Sequence, residues 1–197
     1  LFERVLYRVR PYEAVPGSAN ALYEKWLEIA RKNVKSGSYF EFNHNMKRII
    51  KEFDTLETID FGQKPRVGVV GEILVKYAPT ANNDIVAIIE NEGGEAVVPD
   101  LIGFMNYSLF NQIWKADELN MSQKSKRLAK LGIDAINLLE KPMNKALEKS
   151  ERFEGIESIY DIAKGAAKVV SIGNHTGEGW FLTGEMIELL NNGVKNI

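Results

Sequence analysis

Residues 1–64 carry apolar positions at helical spacing throughout. Leu1, Phe2, Val5, Leu6 and Val9 form one stripe, which Pro11 stops because its ring cannot continue a helix. Leu22, Trp26, Ile29 and Ala30 recur at i, i+4, i+7 and i+8, and Met46, Ile49, Ile50 and Phe53 repeat the spacing. A polar, glycine-bearing connection at 35–39 separates these last two helices. The expectation is a helical segment over 1–64.

At Pro65 the period changes. Arg66-Val67-Gly68-Val69-Val70-Gly71 is a short β-branched run bounded by proline and glycine, as a buried strand requires. A loop over 72–81 follows. A helix is then predicted to start near Asn82 or Asn83, either of which can cap its free N–H groups, with Asp84 favourable in the first turn. Ile85, Ile88 and Ile89 form its apolar stripe, Gly93-Gly94 ends it, and residues 95–99 make a second strand. Strand, helix and strand at this spacing predict a right-handed parallel βαβ unit.

From 103 to 165 the helical period returns. Leu128, Leu131, Ala135, Leu138 and Leu139 share one face, Ser122 is placed to cap, Pro142 to break or kink, and Ile156, Ile159, Tyr160 and Ala163 mark another short helix. That is far longer than an ordinary crossover, so 103–165 is expected to be a helical insertion. Residues 168–173 (KVVSIG) predict a third strand, and Leu182, Met186, Leu189 and Leu190 a last helix closed by Asn192-Gly193. The fold class expected is therefore α/β: a parallel sheet, incomplete at about three strands, in a domain over 65–197 behind the helical segment 1–64.

Composition narrows the chemistry. The chain has 197 residues, 25 Lys+Arg against 27 Asp+Glu, a formal charge of −2 and 45% hydrophobic residues, which suits a folded globular chain with real cores. A near-neutral balance with no basic run supplies no pull toward nucleic acid or an anionic membrane. Zero cysteines exclude a disulfide scaffold, a thiol nucleophile and thiolate-held metal within these residues. No apolar run is long enough for a membrane span, and residues 1–10 are too short and charged for a signal peptide, so the chain is expected to be cytoplasmic. It begins at Leu1 inside an apolar helical pattern and ends just after a turn at Ile197, as a piece of a longer polypeptide would; processing or tag design is the alternative.

Two loops follow predicted strands and precede predicted helices, the position at which open α/β sheets bind ligands. The first offers Glu72, Lys76, Tyr77, Asn82 and Asn83, a set able to hold an anion through helix N–H groups and an ammonium; equally, the asparagines only cap, Lys76 is solvated and Tyr77 packs. The second offers Asn174, His175, Thr176, Gly177 and Glu178. Glycine there lets backbone approach a ligand, and His175 beside Glu178 suits proton transfer; alternatively His175 only orients its loop. Neither loop has the dinucleotide or P-loop glycine spacing, no Gly-x-Ser-x-Gly elbow places a nucleophile, and one histidine without a second ligand argues against zinc. Trp180 and Phe181 fit core positions.

Residues 64–84 (KPRVGVVGEILVKYAPTANND), 94–100 (GEAVVPD) and 173–186 (GNHTGEGWFLTGEM), together with 10–13 (RPYE), resemble the 2-hydroxyglutaryl-CoA dehydratase component-D-like family. More narrowly they are similar to the dehydratase-like carboxy-terminal region of large CoA-substrate-specific enzyme activases. The resemblance implies Rossmann-like or flavodoxin-like architecture and ATP-linked, low-potential electron transfer to a CoA-thioester system. It also implies an iron–sulfur cluster in the full-length protein. With no cysteine here, cluster ligation would fall outside this chain, and no cofactor is expected within it. The loops at 72–83 and 174–178 would then line a cleft, leaving the chain a scaffold that does not turn over alone. The partners implied are the rest of the parent polypeptide and a CoA thioester or other anionic small molecule. A stand-alone nucleotide- or anion-binding module, or a homodimeric interaction domain built on the Trp26 or Leu128 helices, are the alternatives.

Overall fold

Helices make up most of the computed structural model of the chain, which describes residues 1–60 and 62–197. Their order is α1 (Phe2–Val9), α2 (Ser18–Ser36), α3 (Tyr39–Asp54), strand β1 (Arg66–Gly68), α4 (Ile73–Tyr77), α5 (Pro79–Asn82), α6 (Ile85–Asn91), strand β2 (Glu95–Val97), α7 (Leu101–Glu118), α8 (Gln123–Leu147), α9 (Ile159–Ala166) and α10 (Gly179–Asn191). The stripes predicted over 1–64 face inward: Val5, Val9, Trp26, Ile49 and Phe53 are sealed from solvent, and Leu1, Phe2, Leu22 and Ile29 are half-buried against them. Ser38 caps α3 by accepting from the Glu41 N–H, as the polar connection requires.

β1 and β2 are parallel, with Val67 opposite Ala96 and Gly68 opposite Val97. The third strand expected over 168–173 does not form. Those residues are turns after α9, and Val169 is 71% exposed. A β-branched run needs a free edge to pair with, and the free edge of β1 is met elsewhere. Val67 bridges Asn196 in parallel, and the Gly68 N–H donates to the Asn196 carbonyl at 2.8 Å. The spatial order is thus β2, β1, then 196. The helix expected from Asn82 or Asn83 also begins later. Asn83 and Asp84 both have positive φ, α5 ends at Asn82, and α6 starts at Ile85.

Two cores are present. One gathers Val5, Trp26, Ile49 and Phe53 from α1 to α3, and is completed by Met143, Leu147 and Phe153 from far along the chain. The other gathers Tyr107, Ile133, Ile162, Trp180 and Phe181 from α7 to α10. Helix α8 joins them, sending Ala129 and Ile133 into one core and Met143 and Leu147 into the other. It runs unbroken through Pro142, contrary to a break there. Its predicted apolar face is turned outward: Leu128, Leu131, Leu138 and Leu139 are exposed while the opposite side is buried. Helices α9 and α10 approach closely at Gly184, where a Cβ would stand 2.5 Å from Ile162 Cγ2. Glu95, at 1% exposure, ties α1 to the sheet by accepting from Arg8, from Arg66 Nε at 3.1 Å and from Tyr12 at 2.8 Å.

Candidate functional site

Helix α10 leads into the residues beside β1, so its N-terminus stands at the same end of the sheet as the exits from β1 and β2. Three helix starts meet at this rim: α4 after Glu72, α7 after Asp100 and α10 after Glu178. Glu72 caps α4, accepting from the N–H groups of Leu74 at 3.0 Å and Val75 at 3.1 Å. One turn on, Lys76 is carried inward to 6% exposure, and its ammonium donates to both carboxylate oxygens of Glu185 at 2.7 and 3.1 Å. Tyr77 donates to the Pro99 carbonyl, joining the exits of the two strands. Burial raises the Tyr77 hydroxyl well above the ordinary phenol range, with the Glu185 charge adding to it.

From the other loop, Gly177 and Glu178 both have positive φ, and the tight turn brings the Glu178 side chain to face α4. Burial raises the Glu178 carboxyl and the Glu72 charge raises it further, against the Ile73 N–H and Lys76. Glu72, Lys76, Tyr77 and Glu178 are therefore brought together around Glu185. The remaining candidates are not. Asn82 binds its own segment, donating to the Val75 carbonyl at 2.9 Å and accepting from the Ile85 N–H at 3.3 Å. Asn83 is an exposed turn residue, and Thr176 and Gly177 are exposed. Asn174 accepts through its backbone carbonyl from the Trp180 N–H at 3.0 Å. His175 lies against Trp114, ring centroids 4.7 Å apart, with both ring nitrogens buried and without a partner. Burial, helped by Lys115, lowers its pKa and favours the neutral ring. Its carbonyl accepts from Tyr107 at 2.8 Å.

Behind Glu185 opens a cleft of about 420 Å³ between α7, α8, α9 and α10, lined among others by Asp100, Asn106, Glu140, Phe181, Glu185 and Glu188. Burial lifts the Glu185 carboxyl to about 7 despite Lys76, with Glu178 and Asp100 adding to the rise. Glu188 is also lifted to about 7, by burial first, against the pull of Arg4 and with the charges of Glu157, Glu185 and Asp100 adding to the rise. Asn106 is 7% exposed and its Oδ1 has no partner. A cleft of this size with two carboxyl groups titrating near neutrality can take and return a proton. Sequence reasoning passed over Glu185 and Glu188, although Glu185 sits four residues from both Phe181 and Leu189, a carboxylate within an apolar stripe.

The residues present do not fit an iron–sulfur cluster. The chain has no cysteine, and among the described residues no group of three His, Asp or Glu side chains is placed to hold a metal ion. No helix is long and apolar enough to cross a membrane among the described residues. Comparison with family models, with curated proteins and with solved structures finds no match to this chain.

Proposed function

We propose that the chain is the cysteine-free α/β portion of a 2-hydroxyacyl-CoA dehydratase-like or activase-like protein, serving as scaffold and as the lining of a proton-handling cleft. One observation supports this reading: the two loops that bear the sequence resemblance touch where Glu178 faces the start of α4, and Lys76 of the first loop pairs with Glu185 at the edge of the cleft. The rim is acidic, and Lys76 is occupied by Glu185, so this site contributes proton transfer and positioning more readily than capture of an anion. Glu185 and Glu188 are the groups whose carboxyls exchange protons near pH 7, and Lys76 holds Glu185 in place.

Two assays test the reading. The isolated chain, supplied anaerobically with a 2-hydroxyacyl-CoA and a reductant, is expected to form no enoyl-CoA; turnover by the chain alone overturns the scaffold role. In the complete protein, Glu185→Gln is expected to lower turnover by about tenfold or more, the usual worth of a positioned proton-transfer group. Unchanged turnover in a variant that keeps its melting temperature removes the cleft from the mechanism.

A further inference from the structure

A second groove, of about 650 Å³, runs between α3 and the C-terminal half of α8. Lys47 and Lys51 line it from α3, and Lys141, Lys145 and Lys149 from α8 and the turn after it. No pair from this group forms a salt bridge with a carboxylate among the described residues. Asp54, the acidic side chain among the described residues lining the groove, accepts from Ser150 at 2.6 Å. Lysines repeated at i, i+4, as Lys47 with Lys51 and Lys141 with Lys145, repel one another along their helices. In a chain of formal charge −2 this cluster is a local excess of positive charge. Ile50, Leu138, Pro142 and Ala146 supply an apolar floor. At one end stands Tyr39, 46% exposed, its ring stacked on Phe42 at 6.4 Å.

We propose that this groove binds a nucleotide that carries several phosphates, the five ammonium groups meeting the phosphates and Tyr39 with the apolar floor receiving the base. Lysine meets phosphate as a point charge that tolerates varied geometry, and an exposed aromatic face accepts any base by stacking. The volume suits a small molecule. Lys141 and Lys145 also line the cleft behind Glu185, so the groove adjoins that cleft across α8. The proposal stands on the lysines alone and does not depend on the dehydratase-like reading. No basic run announces it in the sequence, because the lysines come from two helices far apart in the chain.

Isothermal titration of the full chain with ATP, CoA, tripolyphosphate and adenosine, at low and at raised salt, tests it. Saturable binding of ATP or CoA that weakens with salt is expected, with no heat from adenosine. The tighter of the two nucleotides distinguishes an adenine triphosphate from the phosphorylated end of CoA. The double variant Lys51→Glu with Lys145→Glu, both on exposed positions, is expected to lose about tenfold in affinity with its melting temperature kept. Tyr39→Ala is expected to weaken ATP and leave tripolyphosphate unchanged. Absence of saturable binding by both nucleotides, affinity indifferent to the charge reversal, or tighter capture of single-stranded DNA than of either nucleotide overturns the proposal.

Discussion

Lys76 and Glu185 are each almost sealed from water, and each is the other's partner. Removing Lys76 leaves a carboxyl that has one escape, to take up a proton. Its pKa, already lifted to about 7 by burial against the pull of Lys76, rises further without the ammonium. Lys76→Met is therefore expected to cost about 3 kcal/mol at pH 8, where Glu185 must take up a proton or stay charged without its partner, and clearly less at pH 5.5, where it is already protonated. Urea unfolding at both pH values checks this; an equal cost at the two would mean that Glu185 does not titrate in this range. Glu188 gives the same sign, with no ion pair of its own among the described residues. Its folded pKa, about 7, lies above the ordinary 4.5, so the folded state binds more protons between these values and stability falls as pH rises across them. The contribution is fully present below about 4.5 and is lost by about 7. Glu188→Gln should flatten the melting temperature against pH over that window, removing a dependence of about 2 kcal/mol after allowance for solvent screening. A profile as steep as before would show that Glu188 is not lifted. Of these residues only Lys76 stood out in the sequence. Glu185 and Glu188 were hidden because desolvation belongs to a position in space and not to a residue type.

Helix α8 shows how far periodicity reaches. Its Ser122 cap is as the pattern predicts, with the Ser122 hydroxyl accepting from the Ser125 N–H, but the helix continues past Pro142 to Leu147. The side it buries is not as predicted. Leu131 and Leu138 are 64% and 65% exposed, whereas Ile133 is sealed. A helix with apolar residues on two faces can bury either, and α7 packs on the side of Ala129 and Ile133. Leu131→Lys together with Leu138→Lys is accordingly expected to move the stability of the chain by no more than about 0.5 kcal/mol per site, and Ile133→Ala to cost about 2–5 kcal/mol. Thermal unfolding of the two variants separates the faces, and a double-lysine variant that fails to fold would reverse the assignment. Trp26 itself is fully buried in its own core, so an interface built on its helix would use the outer face of α2.

At the scale of the whole molecule, the helices of residues 1–64 do not close their core alone. Leu147 enters it from the end of α8 and Phe153 from beyond that helix, and Arg152 donates to the carbonyls of Phe53 at 3.1 Å and Leu56 at 2.7 Å. Leu147→Ala is expected to cost about 2–5 kcal/mol and to lower the unfolding of both cores together in one transition, since α8 belongs to both. Two separated transitions in calorimetry would show that the cores fold independently. The sequence by itself determined the helices of 1–64, the parallel pair of strands with a helix between them, though not the two short helices α4 and α5 where a loop was expected over 72–81, and the helical character of 103–165, because local spacing and proline or glycine boundaries act on neighbours along the chain. Only the tertiary structure decided that residues 168–173 turn and Asn196 takes the edge of β1, that Lys76 is used by Glu185, and that two clefts lie on either side of α8. Each of those depends on which surface is left free once distant segments have packed, and pairing and desolvation at such a surface cannot be read from residues adjacent in sequence.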